Sequence, residues 1–228
     1  VMQKIKRSPE LGYRVVGFVD DNIDVSAVQT VSVLGNTDAL PEVIKNEKIN
    51  LFTSYHKNSF ISPLPKEMEI FAEAVKALET YASTHSQKDL VIGRNLLDRI
   101  NYTLSLVETH YLFLHEKGPR RGWGSYVINT APHNGMVIEV PAPLEEWGAL
   151  ESATWLFTSM QCKAMAVGGT KLSINDNGAS NTFQNPFTLF STFHRTLGRR
   201  NILQIRGHTA KSIRVLSGQR TTPSLGKT

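Results

Sequence analysis

The chain has 228 residues, 40% of them hydrophobic and 20% charged, with a formal net charge of +5. That composition excludes the disordered class and suffices for one large or two small domains, each with its own core. The single cysteine, Cys162, excludes an internal disulfide framework, and no apolar run approaches the ~20 residues of a membrane span.

The first residue is Val, not Met, so the natural N-terminus is expected upstream, and the absence of a signal peptide here says little about location. From Val1 to His56 the pattern predicts a partial strand–helix unit. Tyr13–Val19 is β-rich and closes on the turn cluster Asp20-Asp21-Asn22. Val31–Gly35 predicts a second strand, Asp38–Asn46 a helix capped by Asn36 or Thr37, and Ile49–Tyr55 a third strand. Residues 57–65, with Pro63 and Pro65, read as a linker.

Apolar residues at Met68, Phe71, Ala72, Val75 and Leu78 follow helical spacing, so Lys66–Ser83 is predicted helical. Leu90–Leu106 reads the same way, and the two form an antiparallel helix pair around a loop at Thr84–Lys88. Strand–helix alternation then follows. Strands are predicted at Tyr111–His115, Ser125–Asn129, Met136–Val140, Ala164–Gly168 and Ile202–Ile205, and helices at Leu150–Met160 and Phe187–Leu197. Gly118–Gly124 is a turn and Asn175–Asn185 a polar loop. The order implies a three-layer α/β fold, with a mainly parallel sheet and helices on both faces, preceded by a partial Rossmann-like unit. The divisions are 1–56, 57–65, 66–209 and a flexible tail, 210–228.

The run Arg7–Asn22, with Val33-Leu34-Gly35 and the helix after it, resembles part of the nucleotide-binding-like domain of bacterial polyprenyl glycosylphosphotransferases. In a complete Rossmann unit, Asp20 and Asp21 would sit where an acidic residue meets a ribose hydroxyl. The glycine-rich phosphate turn would lie upstream of Val1, so this stretch lacks its phosphate site.

The second half carries the possible chemistry. Its marks are Gly118–Tyr126, Val137–Pro143 with Glu145, Glu146, Trp147 and Glu151, then Val167–Thr170, Asn175–Asn181, His194 and Arg206-Gly207-His208. Together, over residues 64–209, they resemble a soluble domain of bacterial poly-γ-glutamate or exopolymer biosynthesis proteins, distantly like zinc-dependent poly-γ-glutamate hydrolases. The resemblance implies an anionic polymer as ligand, membrane-embedded synthesis machinery as partner, and an extracytoplasmic or periplasmic location. No nucleic-acid motif is present, and no nucleic-acid partner is expected.

The residues give a reading beside it. Glu139 interrupts an apolar strand, and a buried carboxylate needs a partner or a metal. In α/β sheets, functional groups gather beyond the carboxyl ends of strands. His133, Glu139 and His208 are candidate zinc ligands, with Glu151 or Glu145 as general base. Arg120, Arg121 and Arg206 are candidate contacts for substrate carboxylates. The relatives would carry further histidines where this chain has Ala142 and Thr170, which points to a degenerate cleft. An active zinc-dependent amide hydrolase and a nucleotide-sugar-related domain are the alternatives. His194 shares helical spacing with Phe187, Phe190 and Phe193 and reads as a helix-flank histidine. Neither Cys162 nor Ser180 has the neighbours of a nucleophile.

Overall fold

A computed structural model describes residues 39–54, 56–197 and 201–207. The predicted strands at Tyr13–Val19 and Val31–Gly35, the acidic pair Asp20-Asp21, His208 and the tail 210–228 lie outside the described residues.

The first element is helix α1, Ala39–Ser54. Its Leu40, Ile44, Glu47 and Leu51 are all buried. That spacing of four, three and four is one helix face, so the residues expected as a strand at Ile49–Tyr55 instead continue the helix to Ser54. The apolar run there resembles a strand only when read without the turns before it.

Helix α2, Pro65–Thr84, buries Ile70, Phe71, Ala74, Val75 and Leu78. Its start is fixed by Pro65 in the first turn and by Glu67, whose carboxylate accepts the Leu64 N–H at 2.7 Å. Helix α3, Gln87–Arg99, returns against it. Gly93 permits the approach, since a Cβ there would lie 2.6 Å from Leu78 Cδ2. The helix expected to run to Leu106 ends earlier, because Asn101 takes φ 63° and turns the chain. Strand β1, Tyr102–Val107, follows and forms a hairpin with β2, Tyr111–Glu116.

Strands β3 (Ser125–Asn129), β4 (Val137–Val140), β5 (Ala164–Val167) and β6 (Ile202–Gln204) complete one sheet in the order β1-β2-β3-β5-β4-β6. The pairings β1–β2, β2–β3 and β3–β5 are antiparallel, while β4–β5 and β4–β6 are parallel. The sheet is therefore mixed rather than mainly parallel. The connections explain why: β1–β2 and β2–β3 have no helix between them, and a parallel neighbour needs a crossover. Crossovers are present where helix α4, Ala149–Ser159, joins β4 to β5, and helix α5, Leu189–Leu197, joins β5 to β6.

Alternate residues of each strand feed opposite faces. Leu112, Leu114, Tyr126, Ile128, Val137 and Ala166 meet α2, α3 and α5 through Phe71, Leu78, Leu97 and Phe193. Phe113, Val127, Ile138, Val140, Met165 and Val167 meet α1 and α4 through Leu40, Ile44, Leu150 and Phe157. Helices thus cover both faces of an α/β sheet. No helix among the described residues is long and apolar enough to cross a membrane.

Candidate functional site

The parallel strands β4, β5 and β6 all point their carboxyl ends one way. Antiparallel β3 begins at that end, with Ser125 opposite Val167. Four chain segments therefore meet there: 117–124, 141–148, 168–188 and 205–207. They are tied to one another by specific bonds. Glu145 accepts from Leu172 N and Ser173 Oγ, each at 3.0 Å. Glu146 accepts from Arg206 Nε at 2.6 Å and from Gly207 N at 3.0 Å. Gly169 packs backbone to backbone on the 117–124 segment, where a Cβ would lie 2.2 Å from Gly124 N.

The segment 117–124 has its own anchor. Glu116, at the end of β2, is buried, and its carboxylate accepts from Arg121 N at 3.0 Å, Gly122 N at 3.1 Å and Trp123 N at 2.9 Å. Three successive N–H groups around one carboxylate form a nest. Burial still pushes the Glu116 pKa up, against the pull of the Arg121 and Trp123 N–H groups.

Glu139 is 1% exposed and lies on β4 between β5 and β6. Val137 on the same strand joins the α2/α3/α5 core while Ile138 and Val140 join the other, so Glu139 faces α5. There His194 Nδ1 lies 2.8 Å from its Oε1. Gln204 Nε2, on the neighbouring strand, donates to Oε2 at 3.4 Å. The hydrogen bond to Glu139 raises the His194 pKa, with burial pulling the other way. The His194 side chain is 40% exposed.

The three arginines have carboxylate partners. Arg120 makes a two-pronged pair with Glu47 at 2.6 and 2.7 Å. Arg121 reaches Glu67 at 3.3 Å and stacks on Trp123, and its Nε lies 3.4 Å from Glu116 without hydrogen-bond geometry. Arg206 joins Glu146 and covers the Phe183 ring at 3.9 Å, with 36% of its side chain exposed. All three lie in the segments at the carboxyl end of the parallel strands. Trp147, 79% exposed, belongs to the same end.

Other expected residues are dispersed. Glu151 sits on α4, on the opposite face of the sheet from the Glu139 side chain, and pairs with Lys48 at 2.6 Å. His133 lies in the β3–β4 loop, at the amino end of β4, and its imidazole accepts from Gly135 N at 3.2 Å. Burial and nearby Lys163 lower its pKa. Of the expected zinc ligands His133, Glu139 and His208, the first two lie among the described residues. His133 is at the far end of the strand, both Glu139 oxygens already accept hydrogen bonds, and no group of three His, Cys, Asp or Glu suited to a metal occurs among the described residues. Among the described residues, His133 and Glu139 are not brought together. Ala142 and Thr170 are buried, the latter with no partner for its hydroxyl among the described residues.

His194 is the residue that sequence reasoning undervalued. Its helical spacing with Phe190 and Phe193 is real, and both are buried. One step round the helix turns it toward the β4–β6 side, and only the fold reveals the carboxylate there. No protein-family model, curated protein or solved structure matches the chain.

Proposed function

We propose that this chain binds or processes an anionic polymer, poly-γ-glutamate or an acidic exopolysaccharide, in a degenerate hydrolase-like cleft. It would serve as a soluble domain of a bacterial envelope-polymer biosynthesis protein, working outside the cytoplasm beside membrane-embedded synthesis machinery. The observation that carries this reading is the assembly at one end of the sheet: four cross-tied segments, the half-exposed Arg206 and the open Trp147, next to a buried carboxylate. Ligands of open α/β sheets occupy that end. All three arginines are paired with carboxylates, but Arg206 is the most exposed of them, at 36% against 15% for Arg120 and 17% for Arg121, so recognition of an anion falls to its outer edge, with Trp147 as a flat neighbour.

Calorimetric titration with poly-γ-glutamate, and with neutral dextran as control, tests it. Binding should favour the acidic polymer, weaken with salt, and drop about tenfold in Arg206→Gln, the loss of roughly one charge-assisted contact. Equal affinity for dextran, or no binding of the acidic polymer at low salt, would remove the proposal.

A further inference from the structure

We infer that His194 is the general base of a hydrolytic site, with Glu139 as its positioning residue and an amide or ester carbonyl of an acidic chain as its target. The inference rests on the polymer-processing reading above and adds the group that would do the chemistry.

Among the described residues, three carboxylates in ion pairs are almost wholly buried: Glu47, Glu116 and Glu139, with side chains 4%, 0% and 1% exposed. Glu47 and Glu116 are matched by arginines, which hold their charge at every relevant pH. Glu139 alone among them is matched by an imidazole, which gains and loses a proton near neutrality. An arginine or lysine at 194 would neutralise the carboxylate permanently. A histidine can instead hold the carboxylate through one ring N–H as the neutral imidazole, which leaves its second nitrogen for other use.

The contact with Glu139 points to which nitrogen that is. In the arrangement inferred here the carboxylate accepts, and Nδ1 donates to it across 2.8 Å. The neutral ring then holds its lone pair at Nε2. No described residue bonds Nε2, and 40% of the side chain faces solvent. Gln204 steadies the other carboxylate oxygen at 3.4 Å. A base oriented by a third group in this way has the arrangement that activates nucleophiles. The hydrogen bond to Glu139 also raises the His194 pKa above the ordinary 6.5.

In the step assigned here, Nε2 takes one proton from a water as the water oxygen bonds to the acyl carbon. The carbonyl π pair moves to its oxygen. When that oxygen re-forms the carbonyl, the bond from carbon to nitrogen or ester oxygen breaks, and the imidazolium returns the proton to the leaving group.

Imidazole nitrogen spectra of the full 228-residue chain, and hydrolysis of p-nitrophenyl acetate and of poly-γ-glutamate against pH, test the assignment. Variants are His194→Gln, which keeps an N–H for Glu139, and Glu139→Gln, with circular dichroism melts confirming that each folds. The neutral His194 ring should carry its proton on Nδ1. Hydrolysis should rise with pH through the His194 titration, fall about 100-fold or more in His194→Gln, and shift its inflection to lower pH in Glu139→Gln. A neutral ring protonated at Nε2, a His194→Gln rate equal to wild type, or a wild-type chain that cleaves neither substrate would overturn it. Ester cleavage that depends on His194, without polymer binding, would keep this assignment and remove the polymer reading. Polymer bound alike by wild type and His194→Gln, with nothing cleaved, would do the reverse.

Discussion

Two histidines on opposite faces of the sheet respond to pH in opposite senses. His194 gains an ionic partner on folding, and its pKa rises above the ordinary 6.5. The folded chain therefore holds that proton more tightly than the unfolded one. Its contribution to stability is complete below pH 6.5 and is lost as pH climbs through the raised value. His115 stacks on Phe113, and burial lowers its pKa below 6.5. There the unfolded chain binds the proton first, so stability is lost as pH falls through 6.5 toward the depressed value. Urea unfolding between pH 5 and 9 should show both limbs. His194→Gln should flatten the alkaline limb alone, and His115→Phe the acidic one. A second residue-scale prediction concerns Glu116. Glutamine there would set an amide N–H₂ against one of three backbone N–H groups that now share a carboxylate. Glu116→Gln should cost about 1–3 kcal/mol, read from the same urea curves, because a buried donor loses its acceptor.

At the scale of elements, legibility follows local consistency. Helix α2 was readable because apolar spacing, Pro65 and Glu67 all agree. Strands β2 and β3 were readable as short β-rich runs bounded by turns. β1 was not, because Leu90, Leu97, Ile100 and Leu104 keep a helical rhythm across the break. The stop lies in the backbone of Asn101, and asparagine only permits a left-handed turn without requiring it. Sheet direction was the other loss. Periodicity assigns strands but not partners, and only the absence of a helix between β2 and β3 hints at an antiparallel start. The glycines after β5 carry an element-scale consequence. A methyl at 169 would meet Gly124 N at 2.2 Å and Gly122 C at 2.5 Å, backbone atoms that cannot swing aside. Gly169→Ala should destabilise by about 1–3 kcal/mol, or more if the segment 117–124 cannot shift. A chemical-melt midpoint unchanged from wild type would refute that packing.

Over the whole molecule, sequence reading located the carboxyl ends of β4, β5 and β6 and singled out Glu139, since a charge in a covered strand stands out in any context. It could not pair Glu139 with His194, because the two are brought together by the α5 crossover and by the β4–β6 register. Arg120 was equally opaque. A basic run suggests an open surface, yet the fold turns Arg120 onto Glu47 of α1, distant in sequence. That pair has a long-range effect. Helix α1 docks through Leu40 and Ile44 on the α4 side of the sheet, and Glu47 ties it to the segment that Glu116 organises from within. The Glu47 side chain is 4% exposed and that of Arg120 15%, so little solvent screens the pair. Removing Arg120 would leave a buried carboxylate without its counter-ion, a change that costs about 3–5 kcal/mol. Arg120→Met should therefore lower stability by roughly 3 kcal/mol, while the double variant Arg120→Met/Glu47→Leu recovers most of the loss by removing both charges. The rescue distinguishes a buried ion pair from packing by the arginine stem alone. If the double variant is as unstable as the single one in urea unfolding, the stem rather than the charge is what holds α1 to the sheet.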